Sequence, residues 1–216
     1  MTFILDKQAS IAHHFIAQLR DKDIQQDRMR FRRNMERLGE VLAYELSKQL
    51  EHERHEVETV LGSATAQRIK HPIVLGTILR AGLPFHQGLL NYFDDAENAF
   101  ISAYRKHHKN GTFVIELEYV SCPNLEDKIL ILADPMLATG ASIVLAAKSL
   151  RRFGIPKALH IVTAIAAEEG LNHVRKELPF ANCWIGALDA ELTAKSYIVP
   201  GLGDAGDLSY GEKVQS

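Results

Sequence analysis

Five short apolar runs, alternating with stretches of helical periodicity, constrain this chain more than any other feature. They occupy residues 72–79, 99–104, 129–133, 158–166 and 183–187. Each is too short for a buried helix and rich in Ile, Val and Leu, the signature of strands covered on both faces. Residues 83–93, 142–153 and 169–178 carry helical patterns between them. Alternation of this kind predicts an α/β fold: a mainly parallel sheet flanked by helices. In such folds ligands gather at the carboxyl ends of the strands.

Upstream, residues 1–27 read as an arm with a short strand or helix. From Asp27 the pattern turns helical, with Met29, Met35, Leu38, Leu42 and Leu46 at three- and four-residue steps and Asp27 as a cap. That stripe serves core packing or a subunit interface equally well. The helix should end between Lys48 and His52, where a polar stretch, 52–68, begins. Residues 112–120 break the rhythm, because Phe113, Ile115, Leu117 and Tyr119 alternate with their neighbours. This reads as one side of an antiparallel hairpin projecting as a flap; a plain edge strand is the alternative. Period-two spacing predicts Glu116 and Glu118 on one face.

Composition narrows the function classes. The formal charge is -2 with 46% hydrophobic residues, and no basic stretch could neutralise a run of phosphates, so nucleic acid is not an expected partner. No run approaches the length of a membrane span and the first ten residues lack a signal-peptide pattern. Two cysteines, Cys122 and Cys183, fit a reducing cytoplasm rather than a disulfide framework. Ten histidines include His52, His55 and the pair His107 and His108, yet no His-Glu-x-x-His or Cys-x-x-Cys pattern appears, so no dedicated protein metal site is expected. Trp184 lies on a strand pattern and reads as core.

The chemistry concentrates in Ile129-Leu-Ile-Leu-Ala-Asp134-Pro135-Met136-Leu137-Ala138-Thr139-Gly140-Ala141-Ser142. An apolar strand runs into an acid, then a short loop, then a helix. Free backbone N–H groups at that helix N-terminus, with the dipole behind them, favour an anion. Gly140 permits close approach, and Thr139 and Ser142 add hydroxyl donors. Asp134 stands where it can accept hydrogen bonds from sugar hydroxyls. Taken alone, Thr-Gly-Ala-Ser reads first as a turn with a helix cap. The string is neither a Walker A loop nor Gly-x-Gly-x-x-Gly.

This string resembles the signature of type I phosphoribosyltransferases that binds phosphoribosyl pyrophosphate (PRPP). Its single acid and Pro-Met-Leu-Ala-Thr-Gly run are similar to the uracil phosphoribosyltransferases in particular. The resemblance covers nearly the whole chain and implies one domain over 1–216, with an arm and helix at 1–50, a flap at 106–123 and a uracil-binding segment at 188–216. It assigns PRPP to Arg80, Arg105, Asp134, Pro135, Met136, Leu137, Ala138, Thr139, Gly140, Ala141, Ser142 and Asp204. Arg80, in Arg80-Ala81-Gly82, would hold the leaving pyrophosphate, and Arg80, Arg105 and Asp134 would be the catalytic set. The run Tyr197-Ile198-Val199-Pro200-Gly201-Leu202-Gly203-Asp204-Ala205-Gly206-Asp207 is similar to the family's uracil loop. By composition alone it could be a loose tail. By resemblance Ile198, Gly203, Asp204 and Ala205 read the base, largely through main-chain groups that match two carbonyls and one N–H.

The resemblance further implies uracil and PRPP as substrates, Mg²⁺ bound mainly through the diphosphate, a cytoplasmic setting and a homodimer or higher oligomer. Some family members respond to GTP, a point it leaves open here. Three departures stand out. Ala141 replaces a usual second glycine, Glu168 replaces a usual proline, and the flap lacks the usual lysine. The last change predicts slower turnover, with Val120 as the position for restoring the lysine.

Overall fold

The computed structural model describes residues 1–107 and 113–213, with side chains described outside 104–116. An eight-stranded sheet forms its centre. Its strands are β1 (Thr2–Ile4), β4 (Ile73–Leu79), β5 (Glu97–His107), β6 (Phe113–Ser121), β7 (Ile129–Ala133), β8 (Met136–Leu137), β9 (Ala158–Ala167) and β10 (Asn182–Asp189). The order is β1-β10-β9-β7-β4-β5-β6, with the two-residue β8 beside β9. Every pairing is parallel except β5 with β6. A separate hairpin, β2 (His52–Thr59) with β3 (Gly62–Ile69), and a small ladder, β11 (Glu191–Leu192) with β12 (Ile198–Val199), lie off the sheet. Among the described residues six α-helices complete the fold: α1 (Ala12–Arg20), α2 (Arg28–Ser47), α3 (Leu83–Leu90), α4 (Ala141–Leu150), α5 (Glu168–Glu177) and α6 (Ala205–Tyr210).

The period of the strands divides the core. Ile129, Ile131 and Ala133 of β7 face one apolar cluster, with α1, α2 and α3; Leu130 and Leu132 face the other, with α4 and α5. The sheet is thus buried on both faces, as its apolar runs require. Phe31, Met35, Leu38, Leu42 and Leu46 of α2 are buried in the first cluster, each worth about 2 kcal/mol of transfer. Core packing therefore accounts for that stripe, and Met29 alone among its residues is exposed. The Asp27 side chain caps α2, accepting from the Arg30 N–H at 3.1 Å. Trp184 is buried, and its indole N–H donates to His160 Nδ1 at 3.0 Å.

Two sequence expectations change. Residues 52–68, read as a polar stretch, form the β2–β3 hairpin together with Ile69; its two faces are both mostly exposed, so it carries no apolar alternation to announce it. At the other sheet edge, β4 pairs β5 as far as Ser102, and β5 pairs β6 from Phe100 to His107. The β5–β6 pair is therefore the sheet edge at its base and a two-stranded ribbon beyond it. Its register shifts between Ser102, opposite Tyr119, and Ala103, opposite Leu117, leaving Glu118 as the extra residue of a β-bulge. That bulge breaks the strict alternation expected along this strand. Leu117 and Val120 pack on the second core cluster while Tyr119 is exposed, a parity that strict alternation forbids. The Glu116 side chain and the flap tip, 108–112, lie outside the described residues.

Candidate active site

The path of the chain reverses between β4 and β7. From β4 it passes through α3 to β5 on one side; from β7 it passes through α4 to β9 on the other. A crevice at the carboxyl ends of two such strands is the usual ligand site of an open α/β sheet. Arg80 follows β4 and Asp134 follows β7, and the paired residues Thr77 and Ala133 bring the two strand ends together. Arg105 lies on β5, whose pairing with β4 puts it beyond the same sheet edge; its side chain is outside the described residues.

The loop after β7 is fixed mainly by its backbone. The Asp134 N–H donates to the Val162 carbonyl at 3.1 Å, and the Ile165 N–H donates to the Pro135 carbonyl at 3.0 Å. Met136 and Leu137 continue the pairing as β8. The Asp134 carboxylate accepts from the Met136 N–H at 3.3 Å and, among the described residues, has no cationic partner. Desolvation beneath the loop pushes its acid up to about 7. Gly140 caps α4 with φ 77°, the left-handed region, and a Cβ there would lie 2.8 Å from the Gly170 carbonyl oxygen. A Cβ on Gly170 would in turn lie 2.2 Å from the Ala138 carbonyl oxygen. The loop and the start of α5 thus interlock at two glycines. Thr139 Oγ1 accepts a long bond, 3.4 Å, from the Ala141 N–H. Ser142 and Ile143 present the unpaired N–H groups that begin any helix, before the Val144 N–H bonds back to the Gly140 carbonyl at 3.0 Å.

Both departures near this loop have physical reasons. Ala141 is the first helical residue of α4, so it has no need of a glycine's positive φ, which falls on Gly140 instead. Glu168 opens α5, the position where proline is favoured and where an acid gains from the helix dipole.

The C-terminal run is an ordered wall. Ile198 is buried in β12, paired with Leu192, and Gly201 and Gly203 take φ 55° and 95°. The Asp204 carboxylate caps α6, accepting from the Gly206 and Asp207 N–H groups at 2.9 and 3.0 Å. One of its oxygens is thus committed to the main chain, a structural duty the sequence did not suggest. Ile198, Leu202 and Ala205 share the first core cluster with Ala81, Met136 and Ala138, so the segments after β4 and β7 and the C-terminal run pack on one apolar core.

Arg80 joins the two halves. Its Nη2 donates to Asp207 Oδ1 at 2.8 Å and to the Gly211 carbonyl at 2.7 Å. Among the described residues its Nε and Nη1 have no hydrogen-bond partner, so these donors remain open to an anion. No role followed from the sequence for Asp207, which orients it, or for Arg20 and Asp189, which fit the family's pattern and grip Gly201. Contacts across such sequence separations leave no local pattern.

An anion-receptive helix start, an acid at the strand switch and a glycine-rich wall now have the chain's relatives beside them. A model of the family described as uracil phosphoribosyltransferase matches residues 6–211. The chain belongs to the uracil phosphoribosyltransferase family. It is 51% identical over 211 residues to the uracil phosphoribosyltransferase of Porphyromonas gingivalis, covering 97% of this chain and 98% of that one. Its identity to the Pyrococcus furiosus uracil phosphoribosyltransferase is 36%, covering 93% and 86%. A solved Aquifex aeolicus protein superposes with a TM-score of 0.88 at 32% identity over 100% of both chains. A Staphylococcus aureus hypoxanthine phosphoribosyltransferase shares the fold more distantly, with a TM-score of 0.50 at 16% identity over 73% of this chain and 74% of that one. The family match spans the arm, the Asp134 loop and the C-terminal wall together.

Proposed function

We propose that the protein transfers the phosphoribosyl group of PRPP to uracil, giving UMP and pyrophosphate. One observation carries the reading: the loop that leads into α4, through Met136 and Ala138, shares one apolar cluster with the glycine-rich wall 198–207, and Arg80 is bonded to Asp207 of that wall. Family membership and the names of the relatives support it. In this reading the loop from Asp134 to Ser142 holds the ribose 5-phosphate end, and Asp134 accepts from the ribose hydroxyls. The open donors of Arg80, with Arg105, hold the diphosphate. The bond from ribose C1 to the diphosphate oxygen breaks, uracil N1 bonds to C1, and the N1 proton is released. Positioning and electrostatics carry such a step, with little covalent chemistry from the protein.

Mg²⁺ is part of the proposal, bound mainly through the diphosphate, where it neutralises charge on the leaving group. Among the described residues no three His, Cys, Asp or Glu side chains gather into a cage. Mg²⁺ keeps most of its ligands from substrate and water, so it needs few from the protein. Assembly into a homodimer or higher oligomer and a cytoplasmic setting belong to the same reading. Among the described residues no helix is long and apolar enough to cross a membrane. A response to GTP is tested by adding it to the assay.

The deciding experiment incubates purified protein with uracil, PRPP and Mg²⁺ and measures UMP. UMP and pyrophosphate in equal amounts are expected. Uracil binding without UMP formation would overturn the reading in favour of a sensor on the same scaffold.

A further inference from the structure

The wall 198–207 reads a base only if its main chain is held still, and one end of it is gripped from outside the site. Arg20, the last residue of α1, reaches Asp189, the last residue of β10, with two parallel bonds: Nη1 to Oδ2 at 2.7 Å and Nη2 to Oδ1 at 2.8 Å. The same Nη1 donates to the Gly201 carbonyl at 3.0 Å, and Asp189 Oδ2 accepts from the Gly201 N–H at 2.9 Å. Both polar groups of Gly201 are therefore held in one closed ring of hydrogen bonds. Asp189 is 7% exposed and Gly201 is buried, so water competes weakly for these bonds. Gly201 cannot relax by substitution either, since a Cβ would lie 2.1 Å from the Ile198 carbonyl oxygen.

The other end of the wall is fixed independently, by the Asp204 cap on α6 and the Arg80–Asp207 pair. Residues 202 and 203 span the gap between the two anchors. We infer that Arg20 and Asp189 are positioning residues for uracil recognition: they set the main-chain geometry of the base-reading loop without touching the base. This inference rests on the uracil reading of the loop given above. A guanidinium is required, because only its planar fork can meet both carboxylate oxygens and a carbonyl at once; an ammonium keeps the charge but loses the fork.

The test is Arg20→Lys, which preserves the charge, with Asp189→Asn as a second variant that keeps an acceptor for the Gly201 N–H. Loss of one or two net hydrogen bonds on the loop should raise KM for uracil about tenfold. KM for PRPP and kcat at saturating uracil should stay within about twofold of the parent. Amide exchange at residues 201–203 should quicken in both variants while the strands keep their protection. A purely scaffolding role would lower the melting temperature and leave the two KM values in proportion; that result, or unchanged KM for uracil in Arg20→Lys, overturns the proposal. Should the parent make no UMP, the uracil reading itself fails. The ring is then judged by exchange alone, and unaltered exchange at Gly201 in Arg20→Lys refutes it.

Discussion

Asp134 shows how much a single carboxyl can depend on its setting. Its acid is raised to about 7 by desolvation, with only one backbone bond opposing the shift. Between its ordinary value and 7 the unfolded chain has lost this proton while the folded chain keeps it. The group therefore costs stability progressively as pH rises through that window, and the cost is fully present above 7. Asp134→Asn should accordingly raise the melting temperature of the substrate-free protein at pH 8 and leave it little changed at pH 4, as calorimetry at the two pH values would measure. The ionised form is the better acceptor for ribose hydroxyls. So kcat/KM for PRPP should climb with pH through about 7 in the parent, and the step should vanish in the variant, together with at least about tenfold of PRPP affinity. Arg80→Ala removes the bonds to Asp207 and Gly211 as well as the open Nε and Nη1 donors. It should weaken PRPP and uracil use together, where the sequence alone suggested PRPP only; initial rates against each substrate would separate the two outcomes.

At the scale of elements, the loop from Asp134 to α4 depends on its contact with α5. Gly140→Ala combines a positive φ with a Cβ 2.8 Å from a carbonyl oxygen, so it should cost about 1–3 kcal/mol and raise KM for PRPP. Ala141→Gly, which installs the residue more usual in the family, should give no gain in PRPP affinity and cost at most about 1 kcal/mol, since the position is helical. Denaturant melts and PRPP kinetics on the two variants check both statements. The flap needs a different experiment from the one its sequence proposed. Val120 packs on the second core cluster, so a lysine there should destabilise by about 1–3 kcal/mol and says little about charge. Glu118 is exposed at the bulge, and Glu118→Lys is the fairer test of whether acid on this ribbon slows turnover. An unchanged rate in that variant would remove charge repulsion at this residue as a cause.

For the whole molecule, the β2–β3 hairpin is the element least tied to the rest. Of its strands only Ile69 packs against a core cluster, and Val60 and Leu61 at its turn are 100% and 98% exposed. Replacing residues 53–68 by a short turn should leave the melting temperature of the core nearly unchanged, because little apolar area is lost. Two adjacent bare apolar side chains on a projecting ribbon are a surface that favours association. Sedimentation at micromolar concentration should therefore show the parent as a dimer or larger and the shortened chain shifted toward monomer. A parent that sediments only as monomer would reject the oligomer.

The sequence by itself determined the elements whose apolar period is dictated by the core. The span of β7, the alternation of strands with α3, α4 and α5, and the Asp27 cap of α2 were all legible, because each is set by neighbours in the chain. The Asp134 loop was legible for the same reason: strand, acid, glycine and helix start are contiguous. Tertiary structure decided what depends on distant partners. The bulge at Glu118 arises from the register between β5 and β6, and the hairpin 52–69 has no buried face to impose a period on its sequence. The commitment of Asp204 to a cap depends on where α6 begins. The grips of Asp207 on Arg80, and of Arg20 and Asp189 on Gly201, join residues 127 to 181 positions apart, except for the 12 between Asp189 and Gly201. Period and propensity act over one or two turns of chain, whereas such hydrogen bonds exist only once the sheet has fixed where each loop ends.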